Sequence, residues 1–161
     1  MKKNIRVVLI GEIILLVALF MLNLVLCAGD PRTIVWFADI PSLLFILLLL
    51  IPGLLIMGEW KDFIKSFSVG IRKYSLLELK NIIEAVGAAQ KLTLYGALLA
   101  IIISGIVMMG RMHDPSMIVP NLAVCFLAGL YAVIVEFLLL PLKINAECKM
   151  NEEMDLEDGE D

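Results

Sequence analysis

Four apolar stretches, each long enough to cross a lipid bilayer, constrain the fold of this chain more than any other feature. They cover about residues 7–28, 40–57, 92–109 and 117–142, and the second and third contain no charged residue. An α-helix needs about 20 apolar residues, rising 1.5 Å each, to cross roughly 30 Å of hydrocarbon. The stretches are continuous rather than alternating, which favours helices over barrel strands. We predict an all-α, polytopic membrane protein with four transmembrane helices.

The composition supports the same class. Hydrophobic residues make up 61% of the 161 residues, more than a water-soluble domain of this length buries. The charged start at Lys2 and Lys3, followed by an apolar run, also fits a signal peptide. The run is longer than a signal-peptide core, and no small-residue cleavage site follows before Asp30. We therefore assign this run as the first span, inside a single transmembrane domain over residues 1–150.

The basic residues are distributed unevenly around the four spans. Of the 13 lysines and arginines, Arg32 and Arg111 are alone in the two short loops on one side, and the other 11 fall on the opposite side. Loops rich in Lys and Arg stay in the cytoplasm. We predict that both termini are cytoplasmic, and that residues 58–91 form a cytoplasmic segment.

Two features stand out in the segments beyond the spans. Residues 58–91 contain apolar side chains at helical spacing, at Trp60, Phe63, Ile64 and Phe67. This pattern predicts a short amphipathic helix along the inner membrane face. Ser75 and Glu78 have the spacing of a capping box, which predicts a new helix running into the third span. Residues 151–161 hold seven acidic residues and no basic one, and predict a disordered tail.

The residue types that carry catalysis or bind cofactors do not cluster. The three cysteines, Cys27, Cys125 and Cys148, have no disulfide or metal spacing, and His113 is the one histidine. There is no glycine-rich phosphate loop and no pairing of a nucleophile with a base. Anionic lipid accounts for the basic residues along the inner interface without nucleic acid. We predict no enzymatic activity, no cofactor, no metal site and no nucleic-acid partner.

Short motifs occur in a recognisable order along the chain. They comprise Asp39, Pro41 and Ser42 at the start of the second span, Asp114 and Pro115 in the outer turn, and Leu130-Tyr131 followed by Pro141. In this order and at these depths they resemble the MotA/TolQ/ExbB proton-channel family over about residues 37–143. The likeness includes the four-span, both-ends-inside topology of the MotA branch.

The resemblance implies an assembly and a function. Family members form rings of identical subunits, five-fold in symmetry, around a single-span MotB/ExbD-like partner that carries an ion-binding Asp. The expected role is that of a ring subunit in a stator or channel driven by H⁺ or Na⁺, in the cytoplasmic (inner) membrane of a bacterium. The expected partners are further copies of the chain, the single-span protein and the lipid bilayer.

The sequence also departs from the family pattern. Ile102 stands where the third span of the family has a Thr, three residues before Gly105, and Ala128-Gly129 stand where the fourth span has a Thr. The remaining nearby hydroxyls are those of Ser104 and Tyr131. Residues 58–91 are too few for the cytoplasmic domain of a flagellar stator. These departures leave open an alternative, a non-conducting oligomeric membrane scaffold that retains the ring.

Two carboxylates within the spans are candidates for an ion pathway, together with Ser104 and Tyr131. Glu136 lies on the same helical face as Gly129 and Ala132, and Glu12 lies in the first span. An ionisable group in the bilayer costs a few kcal/mol, so it normally faces protein or water. Both carboxylates fall in the predicted cytoplasmic half of the membrane. They form either a hydrated, proton-accepting layer or separate groups that reach the headgroups or hydrogen-bond a neighbour.

Small residues indicate where helices approach closely. Gly96, Ala100 and Ser104 recur at every fourth position of the third span, with Gly105 next to them, and Cys125, Gly129 and Ala132 form a comparable stripe on the fourth span. We predict that these stripes mediate helix packing and subunit contacts. Packing within one subunit is the alternative.

Overall fold

The computed structural model describes residues 5–27, 37, 39–111 and 113–158, and its secondary structure in these ranges consists of five α-helices without a strand. The helices are α1 (Ile5–Cys27), α2 (Ile40–Met57), α3 (Trp60–Ser66), α4 (Leu76–Gly110) and α5 (Pro115–Asp158). All but α3 are long and apolar enough to cross a membrane. The predicted all-α architecture with four spans is confirmed. The predictions for Lys2, Lys3, Asp30 and Arg32 concern residues outside the described ranges.

Local signals set both ends of α2. The Asp39 carboxylate accepts a hydrogen bond from the Ser42 backbone N–H at 3.2 Å, and Pro41 in the first turn has no N–H that needs a partner. At the other end Gly58 adopts a positive φ of 78°, and its N–H bonds the carbonyls of Leu54 and Leu55. Glycine adopts this left-handed conformation without a steric penalty. The helix is thereby held to 18 residues.

The capping box at the start of α4 is present as predicted. The Ser75 hydroxyl accepts from the Glu78 N–H, and the Glu78 carboxylate accepts from the Ser75 N–H at 3.1 Å. From there α4 runs unbroken for 35 residues. At 1.5 Å per residue it is about 52 Å long, well beyond the roughly 30 Å hydrocarbon core. One end of α4 therefore projects out of the membrane.

The end of α5 differs from the sequence prediction. Residues 151–158, expected to be disordered, continue α5 as far as Asp158. The helix is already formed at this point, so each further residue adds to it without a new nucleation cost. Glu, Met and Leu are favourable helix residues, and Lys149 forms an ion pair with Glu152 one turn later. Helix propagation, helix propensity and this ion pair outweigh the repulsion among the acidic side chains, on which the prediction of disorder rested.

Helix α4 is the central element of the bundle. It contacts α2, α3 and α5, while α1 packs on α5. The main core lies near the end that carries α3 and joins α2, α3, α4 and α5 through Leu50, Leu54, Phe63, Ala85, Val86, Ala89, Leu139 and Leu142. A second cluster of Val69, Leu79, Ile82 and Ala146 extends the packing of α4 on α5 beyond the spans. The two long helices therefore form a hairpin whose projecting ends are covered by α3 and the loop after it.

The predicted orientation can be tested at two exposed arginines at opposite ends of α4. We expect a cysteine replacing Arg111 to react with an impermeant maleimide on intact cells, and one replacing Arg72 to react only after permeabilisation. Arg72 should be inaccessible from outside because loops rich in Lys and Arg stay in the cytoplasm. The background lacks Cys27, Cys125 and Cys148. Labelling of the Arg72→Cys variant on intact cells would overturn the orientation.

Candidate functional site

A shallow cavity of about 350 Å³, widely open to the outside of the bundle, lies along the contact between α4 and α5. Gln90 and Leu94 of α4 and five residues of α5 line it, namely Ala132, Val133, Glu136, Phe137 and Leu140. Gln90 and Glu136 are the two polar residues in this lining. We call this space the Glu136 cavity. It places one carboxylate and one amide in an otherwise apolar wall.

The antiparallel packing of α4 and α5 brings the two polar residues together. The Cys125 thiol lies 3.7 Å from the Ile101 carbonyl oxygen, near the other end of the contact. About three turns after Cys125, Glu136 again faces α4, and its carboxylate interacts with the Gln90 side chain across the cavity wall. Lys143, two turns further along α5, adds a favourable electrostatic interaction with the carboxylate. Gln90 was not among the site residues predicted from the sequence, although an amide at the start of the third span is the kind of group that a membrane carboxylate needs.

Glu12 is not among the residues that line the Glu136 cavity. It is half-buried on α1, and its Oε2 atom is buried without a hydrogen-bond partner among the described residues. Leu9, one turn earlier, packs against the main core that includes Leu139 and Leu142 of α5. Among the described residues, Gln90 and Lys143 interact with the Glu136 carboxylate. That Glu12 and Glu136 lie in one layer of the membrane stays a prediction.

Tyr131 joins two of the motif segments instead of lining the Glu136 cavity. Its hydroxyl accepts from the Asp39 backbone N–H at 2.9 Å and donates to the Phe37 carbonyl. The Asp39 carboxylate in turn accepts from the Ser42 hydroxyl. Asp39 and Tyr131 are 92 residues apart in sequence. Tyr131, a candidate for the ion pathway, thus fixes the start of α2 against α5.

Removing the Tyr131 hydroxyl is expected to destabilise this junction. Tyr131→Phe leaves the Asp39 N–H and the Phe37 carbonyl without this partner, and should lower the free energy of unfolding by about 1–3 kcal/mol. Unfolding of the helices in detergent, followed by circular dichroism, measures the effect. Tyr95→Phe is the matched control, because Tyr95 is 54% exposed on α4. Equal stability of both variants would show that the hydroxyl network contributes nothing.

The residues at the family Thr positions face different surroundings. Ile102 is 56% exposed on α4, whereas Ala128 is fully buried within the subunit. A hydroxyl introduced at Ala128 would therefore enter the protein interior and not the Glu136 cavity. Ser104 is also buried, and it does not line the cavity.

The small residues divide into two groups. A Cβ atom added at Gly96 would lie 3.1 Å from the Ile46 Cα, so Gly96 packs on α2. Ala100 and Ala132 are buried as well, the latter in a cluster with Ile46. A Cβ atom at Gly105 or Gly129 would meet nothing within 4 Å. These two glycines leave open space on the outer surface of α4 and α5.

The three remaining motif residues lie in α5 or directly before it. The Asp114 carboxylate accepts from the Ser116 N–H at 3.0 Å, next to the first residue of the helix, Pro115. The hydrogen bonds from Ser116, with the nearby charge of Arg111, hold the pKa of Asp114 below its usual value. Pro141 lies inside the helix and is buried.

No protein family, curated protein or solved structure matches the chain. The likeness to the MotA/TolQ/ExbB family stays a prediction from the sequence motifs.

Proposed function

We propose that the chain is a ring subunit of a MotA/ExbB-like stator or channel complex, driven by H⁺ or Na⁺ in the cytoplasmic membrane of a bacterium. The observation that carries the proposal is the Gln90–Glu136 pair in the wall of the Glu136 cavity. A carboxylate retained within an apolar span is typical of an ion or proton pathway.

The chemistry of the pair fits an ion step. A carboxylate takes up a proton or coordinates Na⁺, and the Gln90 amide supplies both a donor and an oxygen acceptor to the same site. Proton transfer needs a donor and an acceptor within hydrogen-bond reach or joined by one water. The ion-binding Asp of a MotB/ExbD-like single-span partner is the proposed second group. Glu136 would exchange the ion with that Asp across the open side of the cavity.

The surface beside the cavity suits close approach of another helix. Gly129 presents no side chain there, and Leu94, Val133 and Leu140 are exposed. Helices associate in lipid where small residues allow their backbones to come together. We propose that this surface of α4 and α5 faces the partner helix or the next copy in a homo-oligomeric ring, most simply a pentamer.

A non-conducting oligomeric scaffold is the second candidate. It is favoured by the positions of the hydroxyl groups, because Tyr131 is engaged with the start of α2 and Ser104 lies outside the cavity lining. The polar lining is then limited to Gln90 and Glu136. The scaffold would use the same subunit contacts without ion movement.

Assembly is tested on the purified chain. We expect native mass measurement in mild detergent to give a homo-oligomer of the unmodified protein, and Gly129→Leu to reduce or shift it, because leucine fills the open space at this position. Gly11→Leu is the control, since a Cβ atom at Gly11 on α1 also meets nothing within 4 Å. A monomeric unmodified protein would contradict the ring.

A further inference from the structure

The segment of residues 58–75, which we call the α3 ridge, exposes apolar side chains outside the spans. In α3 the Phe63 and Ser66 side chains are buried against the protein. Ile64, Phe67 and Ile71 are 48%, 42% and 54% exposed. At about 100° per residue, Ile64 and Phe67 lie on the helix edge next to Trp60. The ridge therefore has one face on the protein and a second apolar edge that no described residue covers.

Cations lie beside this apolar edge. Lys65 is already engaged, because its amine lies 2.8 Å from Asp62 and 3.7 Å from Glu78. Lys61, Arg72 and Lys73 are exposed, and within the described parts of the chain no carboxylate forms an ion pair with them.

The two carboxylates of the ridge do not neutralise these cations. Asp62 pairs with Lys65, and Glu59 is half-buried. Burial, with the charges of Asp62 and Glu84, raises the pKa of Glu59. With four basic and two acidic residues in positions 58–75, the net charge of the α3 ridge is positive.

The covalent structure sets the depth of the ridge. Gly58 ends α2, and α3 begins two residues later at Trp60. Phe63 then packs back against Leu50 and Leu54 of the span. The headgroup layer adds only about 5–8 Å to each side of the hydrocarbon core. An α3 held against the last turns of a transmembrane helix lies at the level of the phospholipid headgroups.

We propose that the α3 ridge binds an anionic phospholipid of the leaflet in which α2 ends. Ile64 and Phe67 enter the boundary between headgroups and acyl chains, and Lys61, Arg72 and Lys73 hold the phosphate. Apolar side chains next to unpaired cations at headgroup depth are typical of interfacial lipid-binding helices. This site is independent of ion movement and of the proposed ring.

Trp60 is a built-in reporter for the test. In a Trp36→Phe background it is the single tryptophan of the full chain. We expect an anionic phospholipid with brominated chains to quench Trp60 fluorescence more strongly than a zwitterionic phospholipid with the same chains. Titrating one lipid against the other gives their relative affinity. Replacing Lys61, Arg72 or Lys73 with Gln should each lower the preference for the anionic lipid about 5-fold.

Arg111→Gln is the matched control, because this exposed arginine lies at the far end of α4, about 50 Å away along the helix. The preference of this variant for the anionic over the zwitterionic lipid should equal that of the unmodified chain. Raising the salt concentration for the unmodified chain is a second test that needs no variant, and should weaken the preference. Equal quenching by the two lipids, or a preference retained when all three cations are removed, would overturn the proposal.

Discussion

Gly96→Leu is expected to lower the free energy of unfolding by about 3 kcal/mol or to prevent folding. Even a Cβ atom at this position lies 3.1 Å from the Ile46 Cα and 3.5 Å from the Phe45 carbonyl oxygen. The obstacle is the backbone of α2, which cannot rotate away as a side chain can. Leucine must therefore push α2 off α4. Detergent unfolding followed by circular dichroism, together with the yield of folded protein, measures the loss.

Gly87→Leu is the control for this prediction. Gly87 is on the same helix, and a Cβ atom there meets nothing within 4 Å. We expect its free energy of unfolding to stay within about 0.5 kcal/mol of the unmodified protein. Similar stability of the Gly96 and Gly87 variants would show that α2 does not pack on α4 as closely as the distances indicate.

Glu136→Gln is expected to reduce ion flux about tenfold or more while leaving the fold and assembly intact. The amide has nearly the same size as the carboxylate and can still hydrogen-bond Gln90. It does not take up a proton, and it has no negative charge to balance that of Na⁺. Losing the interaction of the ion with the charged carboxylate costs about 1.5–3 kcal/mol, the usual contribution of a hydrogen bond to a charged group. Because 1.36 kcal/mol corresponds to a factor of ten in rate, the flux should fall about tenfold or more. The measurement is proton or sodium flux into vesicles that contain the complex with its single-span partner.

Glu147→Gln is the control, because it makes the same chemical change on α5 outside the Glu136 cavity. A complex with this variant should conduct ions as the unmodified complex does. Unchanged flux in the Glu136 variant, with flux present in the unmodified complex, would remove Glu136 from the ion pathway. Absence of flux in the unmodified complex would favour the scaffold. Native mass measurement on the same samples separates a lost ring from a lost ion step.

The elements of this protein were largely predictable from the sequence, because the signals that define them are local. The lengths of the apolar runs identified the four spans, and the capping box at Ser75 identified the start of α4. The end of α5 was the exception. There the charge of residues 151–158 predicted disorder, while the helix continued by propagation through residues with good helix propensity.

The candidate site was only half predictable. Glu136 stood out because a carboxylate is rare in a span, but its partner Gln90 did not. Tyr131 and Asp39 were both noted, yet nothing in the sequence joined residues 92 positions apart. Their pairing depends on the tilt and register of α2 against α5, which are properties of the packed bundle.

The sequence by itself determined that this chain crosses the membrane, how often, and where most helices begin and end. Only the tertiary structure decided which helix faces meet. Spans that are apolar on every side have almost no hydrophobic contrast between their faces, so periodicity does not orient them. Small residues do not resolve this, because they suit any close contact: Gly96 packs on α2, whereas Gly129 faces open space. The choice rests on side-chain shape and on the few polar groups that find partners across helices.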